Sequence, residues 1–213
     1  VQDMIRRVAA DKVAPRAAEI DASGTYPQDM FDLLQELGLF TLPFPAEYGG
    51  SDSMLSSCVA VEELCRVCYN TAYLLVVQWV PFGAILAGGD AAQKAKYLPG
   101  LAAGNLRAAI STTEAQSGSD VAGIRTKAER VDGGYRLNGA KIWCTNSSVA
   151  DFVLVAAKVI DEGQSASDAK RGAINLFIVE RDTPGFTVGP AESKMGARGV
   201  PSCPLFLDDA FIP

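Results

Sequence analysis

The chain has 213 residues, 48% of them hydrophobic and 21% charged, with a formal net charge of −6. This composition is compatible with one large domain or two modest domains around a buried core, and it excludes a disordered tail. Neither half is basic, which disfavours nucleic-acid binding through phosphate neutralisation. The sequence has no histidine, which excludes a Ser-His-Asp or Cys-His site built from this chain alone.

The first half, to about residue 108, has the apolar periodicity of α-helices. A first helix begins near Val1 and is bent or ended by Pro15. A second helix is predicted to start at Pro27, whose fixed φ suits a first helical turn, and to be capped at Gly38. Further helices are predicted over residues 54–68, 73–87 and 90–102, the last with Asp90 as its N-cap.

The longest apolar run, residues 71–89, approaches the length of a membrane span. Gln78 and Pro81 lie near its middle and no basic residues flank it, so the sequence favours a core helix and predicts no membrane span. The charged N-terminus shows no signal-peptide pattern. The sequence begins with Val1 and ends with Pro213, so both ends look as if they were cut from a longer chain.

The five cysteines are odd in number and too sparse for a secreted disulfide framework. Cys65 and Cys68 form a C-x-x-C pattern, and with Cys58 they are spaced like one face of a helix. A structural zinc site needs four ligands, and no fourth is evident. The sequence therefore predicts a buried apolar cysteine face and no metal site.

The second half has the short apolar runs of β-strands. Asp132-Gly133-Gly134 is a hairpin-turn signal, and residues 161–171 have the polar composition of an exposed loop. Strands are predicted over residues 125–131, 135–138, 141–145, 152–159, 174–180, 186–188 and 205–207. The almost wholly apolar run 152–159 should be central. The predicted fold is an N-terminal all-α helical domain, residues 1–108, followed by an antiparallel β-barrel or sandwich domain, residues 109–213.

Two segments of the β-half could carry chemistry. Residues 111–120, STTEAQSGSD, combine hydroxyls, a glycine and two carboxylates, a composition that suits polar heterocycles and phosphates. Residues 141–146, KIWCTN, place an indole beside a hydroxyl at a strand end. Taken singly, a solvated loop and a core tryptophan are the commoner interpretations. Neither segment contains a Rossmann or P-loop glycine pattern.

Together these segments resemble the acyl-CoA dehydrogenase family. Residues 113–120 are similar to its T-E-P-x-A-G-S-D motif, and residues 143–146 are similar to its W-I-T-N motif. The resemblance extends in order along the chain, through LGL at 37–39, PAEYGG at 45–50, QKAKYLP at 93–99, TPGF at 183–186 and KMG at 194–196. The sequence departs from the pattern at Ala115 and Gln116, which replace Pro and Gly, and at Cys144, which replaces Ile. Loss of the proline is expected to loosen the loop.

The resemblance implies that the chain binds FAD. The residues it places at the cofactor are Ile110, Ser111, Thr112, Thr113, Gly118, Ser119, Trp143, Cys144 and Thr145. Thr113 would contact the pyrimidine edge of the flavin, Trp143 would pack by the ring, and Thr145 would donate a hydrogen bond to flavin N5. A donor at N5 favours the charge that grows there as hydride arrives.

For the substrate, the resemblance implies contacts from Ser119, Gln78 and Arg171, with Trp79 and Phe82 as bulky candidates along the acyl cavity. Ordinary helix packing explains each helical candidate about as well. The implied reaction is α,β-dehydrogenation of an acyl thioester, in which a glutamate removes the α proton. In this family that glutamate belongs to a C-terminal helical domain, and no residue here matches it; Glu114 belongs to the flavin motif and is not nominated.

Two alternatives stay open at this point. One is a flavin monooxygenase or oxidase on the same fold, and the other is a non-catalytic subunit that completes a partner's site. The family resemblance further implies an acyl-CoA or acyl-carrier thioester substrate, an acceptor like electron-transfer flavoprotein, and a homo-oligomer, dimer or tetramer. It also implies a role in fatty acid β-oxidation, and a cytoplasmic location in bacteria or a mitochondrial-matrix location in eukaryotes.

Overall fold

A computed structural model describes residues 1–160 and 173–213 of the chain. The chain forms two compact units. One comprises Val1–Arg107 with Ser193–Pro201, and the other comprises Ala108–Glu192 with Ser202–Pro213. The predicted loop at 161–171, including Arg171, lies outside the described residues.

The first unit is helical, as predicted. Its six α-helices are α1 Gln2–Val8, α2 Ala14–Ser23, α3 Gln28–Glu36, α4 Met54–Cys65, α5 Tyr69–Gly88 and α6 Ala91–Ala102. A π-helical segment, Ala9–Val13, joins α1 to α2. The first α-helix ends at Val8, before Pro15, which lies in the first turn of α2, where its missing N–H is tolerated.

Helix boundaries in this unit follow local chemistry. Pro27 is the residue before α3 and not its first helical residue, because its ψ of 80° is not helical. Gly38 follows α3 with a φ of +65°, the left-handed conformation predicted for a glycine cap. Asp90 caps α6 as predicted, in a reciprocal capping box with Gln93.

Helix α5 supplies much of the core of the helical unit. By length and composition alone it could cross a membrane, and 44% of its apolar window is buried inside the protein. Core helices meet the same criterion, so length and composition do not by themselves indicate a membrane span. Polar Asn70, Thr71 and Gln78 are buried along it, which fits a helix surrounded by protein groups.

The nine residues Ser193–Pro201 pack with the helices, although the sequence places them among the strands. Val200 is fully buried in the helical core. The N–H of Gly199 donates to Oδ1 of Asn70 at 2.9 Å. A Cβ at Gly199 would approach Cγ2 of Ile20 to 2.9 Å, so only glycine fits there.

The second unit is a single curled sheet. Its strands are β1 Ala108–Ser111, β2 Lys127–Val131, β3 Gly134–Thr145, β4 Phe152–Ile160, β5 Ile174–Glu180, β6 Phe186–Val188 and β7 Ser202–Ile212. Their order is β1-β4-β2-β3-β7-β6, with β5 also paired to β4. The sheet is mixed and not purely antiparallel, because β4 pairs in parallel with β1 and β2. Strand β4 is central and buried, as predicted.

Strand β3 is longer than the sequence suggested. The predicted strands 135–138 and 141–145 form one strand that continues through Gly139. Strand β1 has only four residues, and the sequence does not predict it. The core of this unit gathers apolar side chains from β1 to β7, including Leu137, Val155 and Leu205.

Candidate functional site

Glu114 anchors the polar loop that follows β1. Its buried carboxylate accepts hydrogen bonds from the backbone N–H groups of Arg125 and Thr126 at 2.6 and 2.9 Å, and from the Thr126 hydroxyl at 2.6 Å. Nε2 of Gln116 donates to it at 2.5 Å. Because its oxygens have so many donors, Glu114 is a structural anchor of the loop.

Lys141 of β3 completes this anchor. Its Nζ donates to Oε1 of Glu114 at 2.8 Å and to the carbonyl oxygen of Thr112 at 3.2 Å, and its side chain is fully buried. Burial alone raises the pKa of Glu114, but hydrogen bonds from Lys141, Thr126 and the two backbone N–H groups outweigh it and hold that pKa at about 2. Glu114 is therefore ionised and paired at neutral pH.

The turn at Ala115 and Gln116, where the family pattern has Pro-Gly, is closed in the structure. Glu114 N donates to Ser117 O at 2.8 Å and Ser117 N donates to Glu114 O at 3.1 Å. These reciprocal bonds and the Glu114 carboxylate hold both sides of the turn, and the expected loosening of the loop stays a prediction. Beyond it, Gly118 and Ser119 are exposed, and a Cβ at Gly118 would meet nothing within 4 Å.

Trp143 lies on a β-bulge of β3. Lys141 pairs with Leu205 and Cys144 pairs with Cys203, so β3 has one more residue than β7 across this interval. Trp143 has a φ of +57°, unusual for a residue with a side chain. Its indole is 60% exposed, so the bulge holds a large flat ring at the surface of the β-unit.

The bulge and the loop lie side by side. Ile142 N donates to Thr113 O at 3.0 Å, and Sγ of Cys144 lies 3.6 Å from Ile110 O. The two sequence segments singled out by composition are thus brought together in one region of the β-unit.

The Cys144 side chain does not reach the surface of this region. It is buried, as is Cys203, its partner across the β3–β7 ladder. Burial raises the pKa of the Cys144 thiol to about 11. It packs as an apolar residue in the position where the family pattern has Ile.

Ser111 is also turned inward. It is buried, whereas its neighbours Ile110 and Thr112 are half-buried, as strand alternation requires. Its Oγ has no hydrogen-bond partner among the described residues. Ile110, Thr112 and Thr113 are therefore better placed than Ser111 to present side chains to a ligand.

Thr145 and Asn146 end the strand. The Thr145 hydroxyl lies 3.3 Å from that of Ser202 on β7. Asn146, with a φ of +72°, donates from Nδ2 to Ala108 O at 3.1 Å and so fixes the end of β3 against β1. Sequence reasoning missed Ser202 and the buried role of Lys141, since both contacts join distant parts of the chain.

Among the predicted substrate residues, Gln78 has structural contacts in the helical unit. It is buried, and its Nε2 donates to the carbonyl oxygens of Leu101 and Leu106 at 3.1 and 2.6 Å. Trp79 donates to Phe40 O, and Phe82 stacks on Phe44 with ring centroids 3.5 Å apart. A substrate role for Gln78 stays a prediction, as does one for Arg171, which lies outside the described residues.

The predicted cysteine face is wrong in part. Cys68 is buried and Cys65 is half-buried, but Cys58 is exposed. Cys58 and Cys65 lie on α4, which ends at Cys65, whereas Cys68 is the N-cap of α5, so the three residues do not form one helix face. Within residues 1–160 and 173–213, no group of three or more His, Cys, Asp or Glu could hold a metal ion.

The region fits a flat, polar heterocycle. An indole is held outward on a bulge, half-buried hydroxyls of Thr112, Thr113 and Thr145 lie along the adjoining strand ends, and the loop at Gly118 leaves room for close backbone approach. Comparison with known proteins agrees with this chemistry. Residues 1–105 match the family model for the N-terminal domain of acyl-CoA dehydrogenase, and residues 109–210 match the model for its middle domain.

Individual relatives show the same relationship. The chain is 36% identical over 213 residues to cyclohexane-1-carbonyl-CoA dehydrogenase of Syntrophus aciditrophicus, covering 99% of this chain and 54% of that protein. Butyryl-CoA dehydrogenase of Megasphaera elsdenii superposes with a TM-score of 0.87 at 35% identity, over 100% of this chain and 56% of that one. Glutaryl-CoA dehydrogenase of Mycobacterium smegmatis, in complex with FADH2, gives 0.89 at 29% identity, over 100% and 52%.

The chain belongs to the acyl-CoA dehydrogenase family. It spans about half the length of the curated relatives it matches.

Proposed function

We propose that this chain is the FAD-binding portion of an acyl-CoA dehydrogenase that introduces an α,β double bond into an acyl thioester. The observation that supports this most directly is the bond from Ile142 N to Thr113 O, which joins the two motif segments in the β-unit. The family relationship and the relative solved with FADH2 support the same proposal.

The residues proposed to hold FAD are those whose atoms reach the surface of the region. Ile110, Thr112, Thr113, Gly118, Ser119, Trp143 and Thr145 would contribute side chains or open backbone. Ser111 and Cys144 are buried as whole residues, so they would hold their neighbours in place and would not contact FAD with their side chains. When bound, FAD would supply the hydride acceptor that dehydrogenation requires.

This chain's own residues would orient the reactants. The Glu114–Lys141 pair fixes the loop, which limits the motion of Thr113 and the atoms beside it. Thr145 would donate a hydrogen bond to the flavin, and Trp143 would cover a ring face. Glu114 does not fit the role of the base, since a carboxylate with a pKa of about 2 and filled hydrogen bonds is a poor proton acceptor.

The finer features of the proposal concern substrate and partners. The substrate would be an acyl-CoA, or a carrier-bound acyl thioester, contacted by Ser119. Electrons would pass to an acceptor like electron-transfer flavoprotein, in the setting of β-oxidation. We further propose a homo-oligomer, either a dimer or a tetramer, located in the cytoplasm in bacteria or in the mitochondrial matrix in eukaryotes.

Absorbance spectroscopy tests the proposal on the full-length protein. The purified protein should show flavin bands, release FAD on heating, and bleach when an acyl-CoA is added without oxygen. A colourless protein that neither releases nor takes up FAD would contradict it. Rapid oxygen consumption by the reduced protein would instead indicate a flavin oxidase.

A further inference from the structure

We propose that Ser202 is a positioning residue that orients the Thr145 hydroxyl toward the flavin. This inference rests on the proposed function. The two residues are direct partners on the β3–β7 ladder, at its last pair beyond the bulge. Their hydroxyl oxygens lie 3.3 Å apart, and either can be the donor.

Burial distinguishes the two hydroxyls. Ser202 is only 6% exposed, whereas Thr145 is half-buried. The strand alternation that buries Cys144 places Thr145 on the opposite face of β3. As direct partners on an antiparallel ladder, the two side chains lie next to each other on the same face, and Thr145 is the more exposed of the two hydroxyls.

A hydroxyl has one hydrogen to donate and two lone pairs to accept with. If Thr145 donates to the flavin, its oxygen has acceptor capacity left, and Ser202 is the residue placed to donate to it. A hydroxyl that accepts one hydrogen bond becomes a stronger donor in the next. Ser202 thus fixes the orientation of the Thr145 hydroxyl and strengthens the hydrogen bond that Thr145 donates.

The backbone holds Ser202 in this position. Its carbonyl oxygen accepts from Glu192 N at 2.9 Å, and the next residue, Cys203, is buried opposite Cys144. The register of the two strands is therefore fixed, and this keeps the Ser202 hydroxyl next to that of Thr145.

The test uses the full-length protein loaded with FAD, in wild-type form and as Ser202→Ala, Ser202→Thr, Thr145→Ala and the Thr145→Ala/Ser202→Ala double variant. Flavin reduction by an acyl-CoA is followed anaerobically by stopped flow. We expect Ser202→Ala to slow reduction about tenfold, to change the FAD dissociation constant less than about threefold, and Ser202→Thr to restore most of the rate.

The double variant decides whether Ser202 acts through Thr145. If Ser202 acts through Thr145, the double variant reduces its flavin no more slowly than Thr145→Ala alone. The flavin absorbance maximum then shifts by the same amount in the double variant and in Thr145→Ala. The apoproteins give an independent readout: the two single variants' melting-temperature shifts should not add in the double variant. Ser57→Ala removes another buried serine hydroxyl, bonded to Ser53 O, and should leave the flavin spectrum and reduction rate unchanged.

Two results would overturn the inference alone. One is a Ser202→Ala protein that reduces its flavin as fast as wild type. The other is an equal slowing by Ser202→Ala in the presence and absence of Thr145. A wild-type protein that never takes up FAD would overturn the proposed function, and this inference with it.

Discussion

Nζ of Lys141 lies 2.8 Å from Oε1 of Glu114, and both side chains are buried. The pair joins the loop after β1 to the middle of β3, the two segments that form the candidate flavin site. Removing both charges from water is costly. The hydrogen bonds that Arg125 N and the Thr126 hydroxyl donate to Glu114, and the one that Lys141 donates to Thr112 O, offset that cost.

Substitution of one partner should be strongly destabilising. Glu114→Gln leaves the Lys141 ammonium buried without its carboxylate, and we expect a loss of about 3–5 kcal/mol in unfolding free energy. The Glu114→Gln/Lys141→Met double variant should recover part of that loss. Urea unfolding measures the unfolding free energies of the single and the double variant. The control is Glu19→Gln, which removes an exposed partner of Arg16 and should have a much smaller effect.

The same pair predicts a pH dependence. The folded-state pKa of Glu114 is about 2, below the ordinary glutamate value of about 4.3 in an unfolded chain. Its contribution to stability is thus complete above that unfolded value and is lost as the pH falls toward 2. The difference in stability between wild type and Glu114→Gln should shrink as the pH falls below about 4. A difference that grows in acid would contradict this assignment.

Local signals in the sequence predicted much of the fold. Apolar continuity identified α5 and β4, and Asp90 marked the start of α6. The composition of residues 111–120 and 141–146 pointed to the region that the structure brings together. These features are encoded within a few residues of one another, where propensity and periodicity act.

What could not be predicted depends on distant contacts. Nothing local in Ser193–Pro201 indicates that Val200 completes the helical core, and a lysine such as Lys141 is rarely fully buried without a partner supplied from elsewhere. Gly139 has the sequence appearance of a turn, yet β3 continues through it, because the ladder with β7 tolerates an irregularity there.

Gly139 should tolerate no side chain. Its φ is +153°, and a Cβ would lie 2.6 Å from Oγ1 and 2.8 Å from Cα of Thr126. Gly139→Ala would displace Thr126 from Glu114, and we expect a loss of about 2–4 kcal/mol in urea unfolding. Gly118→Ala, which meets no atom within 4 Å, should change stability by less than about 0.5 kcal/mol. Equal effects of the two substitutions would refute the steric argument.

The cysteines should differ widely in reactivity. Burial raises the pKa of Cys144 to about 11, so its reactive thiolate is scarce at pH 8 and sheltered from solvent. Cys58 is exposed and should react first with a thiol reagent such as Ellman's reagent. Cys58→Ser should remove the fast phase of labelling. Rapid modification of Cys144 in the native protein, located by peptide mass mapping, would show that the bulge opens.

The Trp143 side chain should contribute to FAD affinity and contribute little to the stability of the fold. Its ring is 60% exposed, so Trp143→Ala should leave the melting temperature of the apoprotein almost unchanged. Loss of an aromatic contact worth about 1–1.5 kcal/mol should raise the FAD dissociation constant about tenfold, measured by titration calorimetry. Trp79→Ala is the contrast: Trp79 packs against the helical core and donates to Phe40 O, so its loss should lower the melting temperature clearly.

The Trp143→Gly variant distinguishes the contribution of the indole ring from the effect of backbone strain at this position. The φ of +57° at this bulge is strained for any residue with a Cβ and relaxed for glycine. Trp143→Gly should therefore melt at a higher temperature than Trp143→Ala, while both lose FAD affinity to the same extent. If Trp143→Gly melted lower than Trp143→Ala, the strain at the bulge would not be real. If both variants bound FAD as tightly as wild type, the ring would not contact the cofactor.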